Sequence, residues 1–307
     1  MQILISTSTF NLENFSELAE IRNSGVEVKL NPFKTRLTED QVTQLLGTDT
    51  VGLIAGLETL NENVLEAATA LKVIARVGTG LDNVDLNAAA RLRITVLNTP
   101  DAPTSAVAEL TIGHILSLLR NISSTDRQIR NKRWQGQMGS LLETKTVGIV
   151  GFGRIGQRVA KLISVFGAKV IVSDPYSQTK DFENCSLDEL CPKVDILTLH
   201  IPYGDKTHHL IGAKQIQLLK KGSFVVNISR GGLIDEDVLL QALESGHIAG
   251  AALDCFEQEP YFGQLGKLEN VQMTAHMGTY ARETRDRMER EASGLLVKAL
   301  REKQIIK

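Results

Sequence analysis

The sequence predicts an α/β protein that is built from two doubly wound parallel sheets. Short apolar runs alternate with segments of helical periodicity, this alternation occurs in two series, and a stretch with two prolines separates the series. The length of 307 residues suits about two domains, and 42% hydrophobic with 23% charged residues is the balance of a globular protein.

The first hundred residues contain the first series. A helical pattern runs through Phe15, Leu18, Ala19 and residues 21–22, and residues 38–41 carry a capping-box signature. This spacing predicts a parallel sheet with crossover helices, and we expect a flavodoxin-like unit. Its predicted strands cover residues 2–7, 26–30, 50–55, 72–77 and 94–98.

Residues 98–103 interrupt the first series. Pro100 and Pro103 favour an extended connection, which predicts a domain hinge. A helix is expected over residues 104–120, and its apolar side chains cover much of its circumference. Such a helix is buried on more than one side, so we expect it to pack on a sheet and on a partner subunit. A more polar helix is expected over residues 123–134.

The second series begins at Lys145. Its predicted strands cover residues 146–150, 169–173, 196–200, 224–228, 248–253 and 271–274. A charged helix over residues 282–302 follows, and we expect it to return to the first domain. The predicted domains are therefore residues 1–98 with 285–307, and residues 99–284, with a cleft at the hinge.

Composition excludes several classes of function. The net charge of −2 gives no electrostatic support for a nucleic-acid or membrane partner. The N-terminus has the pattern of a strand rather than of a signal peptide. Cys185, Cys191 and Cys255 form neither an even disulfide framework nor a pair spaced for metal, so we expect no metal and a reducing, cytoplasmic location.

A dinucleotide motif follows the first strand of the second series. Gly151, Gly153 and Gly156 form Gly-x-Gly-x-x-Gly between an apolar strand and an amphipathic helix, as in a Rossmann domain. The first glycine permits the turn, the second lets a pyrophosphate approach, and the third allows close packing. Asp174 ends the next strand and suits ribose hydroxyls, so the sequence favours NAD over NADP.

Further polar residues follow three other strands. Arg230 lies between an apolar strand and two glycines, and its fork suits a carboxylate. Asp254, with Glu257 and Glu259 after it, follows a second strand, and His276 follows the last one. A cation, a carboxylate and a histidine at one sheet edge suit the reduction of a 2-oxo acid, because a carboxylate stabilises a charged histidine. The remaining histidines are interpreted as structural or exposed, namely His114, His200, His208, His209 and His247.

In chain order, the motifs after Asp174 are Ser-Arg-Gly-Gly-Leu-Ile-Asp-Glu, Leu-Asp-x-Phe-Glu-x-Glu-Pro and Thr-Ala-His-Met-Gly. This order resembles that of the D-isomer-specific 2-hydroxyacid dehydrogenases, and it is especially similar to the catalytic part of D-3-phosphoglycerate dehydrogenases. The similarity covers essentially the whole chain and includes residues 76–85 and 98–100.

The resemblance implies a role for each matching residue. Arg230 would bind the substrate carboxylate, His276 would be the acid/base, and Glu259 rather than Glu257 would be its partner. Asp254 would face the nicotinamide carboxamide. The amides of Val77 and Gly78 would meet the substrate. Arg76 is a further substrate candidate, and further cofactor contacts are expected from Thr79, Arg154, Ile155, Ile201, Ile228 and Ser229. The family also pairs two chains through the helix near residues 104–120.

The substrate is less well determined. Phosphoglycerate dehydrogenases resembling this chain carry basic residues after the third strand, whereas residues 55–60 here contain Glu58 and no cation. We therefore expect the substrate to be a small 2-hydroxy acid other than phosphoglycerate. Phosphoglycerate stays an alternative, because Arg76 can supply a cation for its phosphate. Two alternatives stay open: an NAD-binding module without catalytic activity, as in the related corepressors, and a formate- or phosphite-type dehydrogenase.

Overall fold

The structure, a computed structural model, describes residues 1–8, 10, 18, 21, 25–177 and 179–306. Most of the helix predicted around Phe15 and Ala19 lies outside the described residues, although Leu18 and Ile21 are described and buried. The chain divides into two compact units, Met1–Pro103 with Ala281–Lys307 (unit 1) and Thr104–Tyr280 (unit 2). The sequence had placed the corresponding boundaries after residues 98 and 284.

Unit 1 contains a parallel sheet with five strands among the described residues, in the order β2-β1-β3-β4-β5. This is the strand order of a flavodoxin-like fold, so the predicted fold class of this unit is confirmed. The strands are β1 (Gln2–Ile5), β2 (Glu27–Leu30), β3 (Thr50–Ala55), β4 (Val73–Arg76) and β5 (Thr95–Asn98).

The helices of unit 1 cover its sheet. At the start of the helix Glu39–Leu46, the Thr38 hydroxyl accepts from the Gln41 amide, as the capping-box signature predicts. The last helix buries Met288, Ala292 and Leu296 against strand residues such as Ile3. The helices are α1 (Glu39–Leu46), α2 (Glu62–Ala67), α3 (Leu86–Arg91) and, from the end of the chain, α10 (Arg282–Glu302).

Unit 2 contains a parallel sheet in which seven described strands lie in the order β12-β11-β10-β9-β6-β7-β8. Counted within the unit, this is the Rossmann order with an added edge strand. The sequence did not predict the short edge strand β8. The strands are β6 (Thr146–Val150), β7 (Lys169–Ser173), β8 (Glu183–Asn184), β9 (Ile196–Leu199), β10 (Ser223–Asn227), β11 (Ile248–Leu253) and β12 (Val271–Met273).

The helices of unit 2 pack on both faces of this sheet. They are α4 (Thr104–Leu119), α5 (Ile122–Arg130), α6 (Arg154–Val165), α7 (Leu187–Leu190), α8 (Ala213–Leu218) and α9 (Glu236–Glu244). Helix α5 ends before the predicted residue 134, because Lys132 adopts a left-handed conformation with φ 61° that a helix cannot contain. In the described part of the chain, no helix is long and apolar enough to cross a membrane.

Apolar side chains of α4 are mostly covered inside unit 2. Val107, Ile115 and Leu118 are buried in the core that this helix forms with β6 and α6. The burial that the sequence assigned in part to a partner subunit is therefore largely supplied by the chain itself. Exposed apolar side chains occur instead on α5 and in the segment after it, at Ile122, Ile129, Trp134, Met138 and Leu141.

Candidate active site

The candidate site lies at the carboxyl edge of the sheet of unit 2. Strand β6 pairs with β7 on one side and with β9 on the other, so the strand order reverses at β6. Loops from β6 and β9 leave the sheet in opposite directions at such a point, and the crevice between them is where open α/β sheets bind ligands.

The glycine motif forms a tight turn from β6 into α6. Gly151 has φ 93°, and a Cβ there would lie 2.5 Å from the carbonyl oxygen of His200. A Cβ at Gly156 would lie 2.1 Å from the carbonyl oxygen of Gly151. Both glycines are therefore required by contacts within the protein, as the motif predicts.

Gly153 differs from its two neighbours, because a Cβ at this position would meet no described atom within 4 Å. The backbone at Gly153 thus borders open space where α6 begins, and the amides of the first turn of a helix attract a phosphate. This space, which a side chain at residue 153 would fill, fits the diphosphate of a dinucleotide.

Asp174 ties the end of β7 to this turn. Its Oδ2 accepts from the amide of Phe152 at 2.7 Å, and its Oδ1 accepts from the amides of Tyr176 and Ser177 at 2.8 and 3.1 Å. A carboxylate has about four acceptor sites, so Asp174 retains capacity for a ribose hydroxyl while it shapes the loop.

Arg230 lies on a turn that Asn227 holds in place. The Asn227 side chain accepts from the amide of Ser229 at 3.0 Å and donates to the carbonyl of Arg230 at 2.7 Å. The Ser229 hydroxyl donates to the carbonyl of Ile201 at 2.5 Å, which joins this turn to the loop after β9. These bonds fix the backbone that carries the guanidinium.

His276 and Glu259 form a close pair. The Nδ1 atom of His276 lies 3.0 and 2.9 Å from the two carboxylate oxygens of Glu259. Both side chains are about one-fifth exposed, at 22% and 19%. The predicted pairing with Glu259 rather than Glu257 is present, since Glu257 instead contacts His209 at 2.8 Å. The pair can hold a proton on Nδ1 and stabilise a charged imidazole.

Asp254 positions the loop that carries His276. This carboxylate is 1% exposed and accepts from the Thr274 hydroxyl at 2.6 Å and from the amides of Met277 and Gly278, both at 2.8 Å. The amide of His276 donates to the Asp254 carbonyl at 2.8 Å. The family resemblance implied a contact of Asp254 with the nicotinamide, which stays a prediction, and these hydrogen bonds give the carboxylate a second role in holding the histidine loop.

The Ser229 carbonyl connects the arginine turn with the histidine pair. It accepts from Nη1 of Arg230 at 2.8 Å and from the thiol of Cys255 at 3.4 Å. Ligand atoms of Cys255, Glu259 and His276 lie within 4.8 Å of one another. The structure therefore brings the predicted guanidinium, carboxylate and imidazole into one neighbourhood of unit 2.

The substrate residues predicted in unit 1 lie at the end of β4, at Arg76, and directly after it, at Val77 and Gly78. The amide of Val77 donates to the carbonyl of Ala55 at 2.9 Å, and the amide of Gly78 donates to the Thr99 hydroxyl at 2.8 Å. A substrate contact through either amide would replace one of these bonds. Arg76 is 5% exposed and donates to the Val77 carbonyl at 2.8 Å.

Thr79 follows in the same loop. Its hydroxyl donates to the carbonyl of Pro100 at 3.4 Å, and its carbonyl accepts from the Asn98 side chain at 2.7 Å. These bonds join the loop after β4 to the chain that follows β5. The predicted cofactor contact of Thr79 stays a prediction.

Two further histidines pack inside unit 2: His114 is buried, and His200 is partly buried. Burial lowers the pKa of His200 to about 3, and burial also lowers the pKa of His114, against the effect of the Gln272 hydrogen bond. His114 contacts the Gln272 side chain at 3.4 Å and the Thr274 hydroxyl at 3.3 Å. These packed positions agree with the structural interpretation of both residues.

Sequence reasoning did not assign Asn227 and Thr274 to the site. Both are polar residues at the ends of otherwise apolar strands, which is the signal that could have identified them. Their partners, Ser229 with Arg230 and the Asp254 carboxylate, could be named only from the structure.

Comparisons with known proteins agree with this geometry. Residues 112–278 match the family model described as "D-isomer specific 2-hydroxyacid dehydrogenase, NAD binding domain". A D-3-phosphoglycerate dehydrogenase of Methanocaldococcus jannaschii is 39% identical over 86% of this chain and 51% of its own length. A glyoxylate reductase of Thermococcus litoralis is 38% identical over 75% of this chain and 74% of its own length.

Solved structures show the same likeness. The D-lactate dehydrogenase of Aquifex aeolicus, solved with NAD and lactic acid, has a TM-score of 0.85 and 26% identity over 99% of this chain and 96% of its own. The fold and site thus define a dinucleotide-dependent oxidoreductase class. The chain belongs to the D-isomer-specific 2-hydroxyacid dehydrogenase family and carries its NAD-binding domain. It spans about half the length of the D-3-phosphoglycerate dehydrogenase it matches.

Proposed function

We propose that this protein interconverts a small D-2-hydroxy acid and the corresponding 2-oxo acid with NAD. The observation that carries the proposal is the His276–Glu259 pair at 2.9 Å, beside the Arg230 turn and on the same sheet edge as the open glycine turn. Oxidation of an alcohol next to a carboxylate needs a base for the hydroxyl proton and a cation for the carboxylate.

His276 is the proposed acid/base. Glu259 contacts Nδ1, which leaves Nε2 as the ring nitrogen for proton exchange with the substrate oxygen. The carboxylate stabilises the imidazolium that forms when the hydroxyl proton is taken up, and it fixes the orientation of the ring. Asp254 is a positioning residue, because its carboxylate holds the backbone next to His276.

Arg230 is the proposed anchor of the substrate carboxylate. A guanidinium binds a carboxylate through two parallel hydrogen bonds, which fixes the position of the neighbouring carbon. Asn227 supports this role because it clamps the turn on both sides of Arg230. Arg76 and the amides of Val77 and Gly78 are the proposed contributions of unit 1.

When NAD is bound, its nicotinamide supplies the acceptor for the two electrons that leave the alcohol carbon. We propose that the turn at Gly151, Gly153 and Gly156 holds its diphosphate and that Asp174 accepts from its ribose. The further proposed cofactor contacts are those expected from the family resemblance, from Thr79, Arg154, Ile155, Ile201, Ile228, Ser229 and Asp254.

The proposed substrate has no phosphate group. Glu58 lies in the loop after β3 and is 1% exposed, and both of its carboxylate oxygens accept from the Gly56 amide, at 3.0 and 3.1 Å. A phosphate at this loop would have to displace the Glu58 carboxylate from the Gly56 amide, whereas the amides of Val77 and Gly78 donate to neutral oxygens. Glyoxylate, hydroxypyruvate and pyruvate are the compounds to test first.

A panel of 2-oxo acids tests the proposal. NADH absorbance is followed with each acid for the wild type, Arg230→Lys and Arg230→Gln. We expect turnover with at least one unphosphorylated acid, and a loss of about 100-fold or more in kcat/KM for Arg230→Gln, because the bidentate contact is removed. Tight NADH binding with no turnover on any acid would favour an NAD-binding module instead.

We also propose that the protein is a cytoplasmic homodimer. Cys185, Cys191 and Cys255 are not in disulfides, which suits a reducing compartment. The exposed apolar side chains of Trp134 (91%) and Met138 (96%) follow α5, and apolar side chains of this size are typical of subunit interfaces. Sedimentation equilibrium of the wild type should give twice the chain mass. In the double variant Trp134→Ser/Met138→Ser, the measured mass should shift toward that of the monomer.

A further inference from the structure

A thiol lies beside the proposed acid/base pair. Cys255 directly follows β11 and Asp254, and it is 2% exposed. Its Sγ atom, a carboxylate oxygen of Glu259 and a ring nitrogen of His276 all lie within 4.8 Å of one another. The proposed reaction needs the imidazole and the carboxylate but has no step that uses a sulfur atom.

These three side chains are the ligand types of a zinc site. Zn²⁺ binds Cys sulfur at about 2.3 Å, and His nitrogen and carboxylate oxygen at about 2.0–2.2 Å, so the ligand atoms of one ion lie roughly 3–4 Å apart. The His276 Nδ1 and Glu259 Oε2 atoms are already 2.9 Å apart, and Sγ lies within 4.8 Å of a ligand atom of each residue, so binding of one ion requires Sγ to move closer to both. Three protein ligands with a water molecule in the fourth position are typical of catalytic rather than structural zinc sites.

Charge also favours a divalent cation here. A thiolate and a carboxylate carry two negative charges, which balance the charge of the ion. The neighbouring guanidinium of Arg230, which shares the Ser229 carbonyl with the thiol, therefore meets a neutral site rather than an added positive charge. A soft ligand such as Cys selects Zn²⁺ or Cd²⁺ over Mg²⁺ or Ca²⁺.

We propose that Cys255, Glu259 and His276 form a site for a soft divalent cation, which inhibits the enzyme by replacing the proton on Nδ1 of His276. On binding, the thiol proton and the Nδ1 proton pass to solvent, and three metal–ligand bonds form with no change of oxidation state. The imidazole is then held by the ion and cannot serve as acid/base. The inhibitory effect rests on the proposed function, whereas the binding site does not.

Cd²⁺ titration of the tag-free, metal-free chain tests binding directly. A thiolate bound to Cd²⁺ has an ultraviolet charge-transfer band, and we expect this band to saturate at one equivalent. Cys255→Val should abolish it, and Cys255→Ser should abolish it while it keeps the size of the side chain. The matched control is Cys185→Ser, because Cys185 lies outside the cluster and its replacement should leave the band intact.

The second measurement is inhibition by Zn²⁺. Each protein's rate is divided by its own rate in EDTA, so differences in metal-free activity do not enter. We expect the Zn²⁺ concentration for half inhibition to rise by about 100-fold in Cys255→Val. EDTA should restore the wild-type rate.

The two proposals fail in different ways. A Cd²⁺ band that is absent from the wild type, retained in both Cys255 variants or lost in Cys185→Ser would overturn the metal site, even with normal turnover. A band that depends on Cys255, in a chain with no turnover on any 2-oxo acid, would support the site and contradict the dehydrogenase activity. Equal inhibition of wild type and Cys255→Val would show that Zn²⁺ acts elsewhere.

Discussion

The carboxyl edges of the two sheets contain similar charged residues in different surroundings. In unit 1, the Glu58 carboxylate is buried and accepts from the Gly56 amide and the Ser6 hydroxyl. In unit 2, the Glu259 carboxylate is partly exposed and contacts the imidazole of His276. One carboxylate therefore satisfies neighbouring structural groups, while the other modifies a group that exchanges protons.

The arginines show the same difference. Arg76 in unit 1 is buried, and its Nη1 lies only 1.4 Å from where a Cβ at Gly78 would be, so its guanidinium covers the loop. Arg230 in unit 2 is less buried, and its turn is held by Asn227. Arg230 thus combines a backbone that other residues fix with a side chain that keeps access to solvent, whereas the proposed substrate contact of Arg76 has to come from a buried guanidinium.

The largest effect is expected for the carboxylate of unit 2, where a substitution should lower the catalytic rate. Glu259→Gln keeps the size of the side chain but removes the charge that stabilises the imidazolium, so we expect kcat to fall by about 100-fold. Steady-state kinetics on the best 2-oxo acid measures this. Glu257→Gln is the matched control, and it should stay within about twofold of the wild type. Equal losses in both variants would contradict the role of Glu259.

The corresponding change in unit 1 should affect stability instead. Glu58→Gln keeps one acceptor oxygen but replaces the other oxygen, together with the charge, by an NH2 group in a buried position. We therefore expect the free energy of unfolding to fall by about 2 kcal/mol. Denaturant unfolding measures this, with Glu62→Gln on the exposed surface of α2 as control. An unchanged midpoint would mean that the buried carboxylate is not structural.

Glycines of the two units should differ in their effect on NADH binding. Gly153→Ala adds a methyl group that meets only open space in the protein, so stability should hold while the dissociation constant of NADH rises by about tenfold. Isothermal titration with NADH and thermal unfolding measure the two quantities. Gly294→Ala, also in open space but on α10 of unit 1, should leave NADH affinity unchanged. Unchanged NADH affinity in Gly153→Ala would argue against a diphosphate at this turn.

The smallest expected effect concerns acid stability in unit 2. Burial lowers the pKa of His200 to about 3, below the ordinary value of 6.5. The unfolded chain therefore takes up a proton that the folded chain does not, and stability falls as the pH drops below 6.5. We expect a loss of about 1 kcal/mol or more by about pH 5. In His200→Asn this part of the loss of stability should be absent. Above pH 7, the free energies of unfolding of the variant and of the wild type should differ by a constant amount.

Much of the site was predictable because strand ends are visible in the sequence. The apolar strands before Gly151, Arg230, Asp254 and His276 place all four residues at one edge, since parallel strands end together. The choice of Glu259 over Glu257 as the histidine partner came from the family resemblance, and the structure has this contact. The role of Asp254 was not predictable, because the direction of a buried side chain depends on the loop that closes over it.

The sequence by itself determined the two parallel sheets, the order of the motifs and the dinucleotide turn, because strand periodicity and glycine spacing are local properties of the chain. Only the tertiary structure decided that Asp254 holds the histidine loop, that Glu58 is buried, and that Cys255 lies beside the His276–Glu259 pair. Side chains far apart in sequence meet through packing and hydrogen bonds of the folded chain, and no local pattern encodes the distances between them.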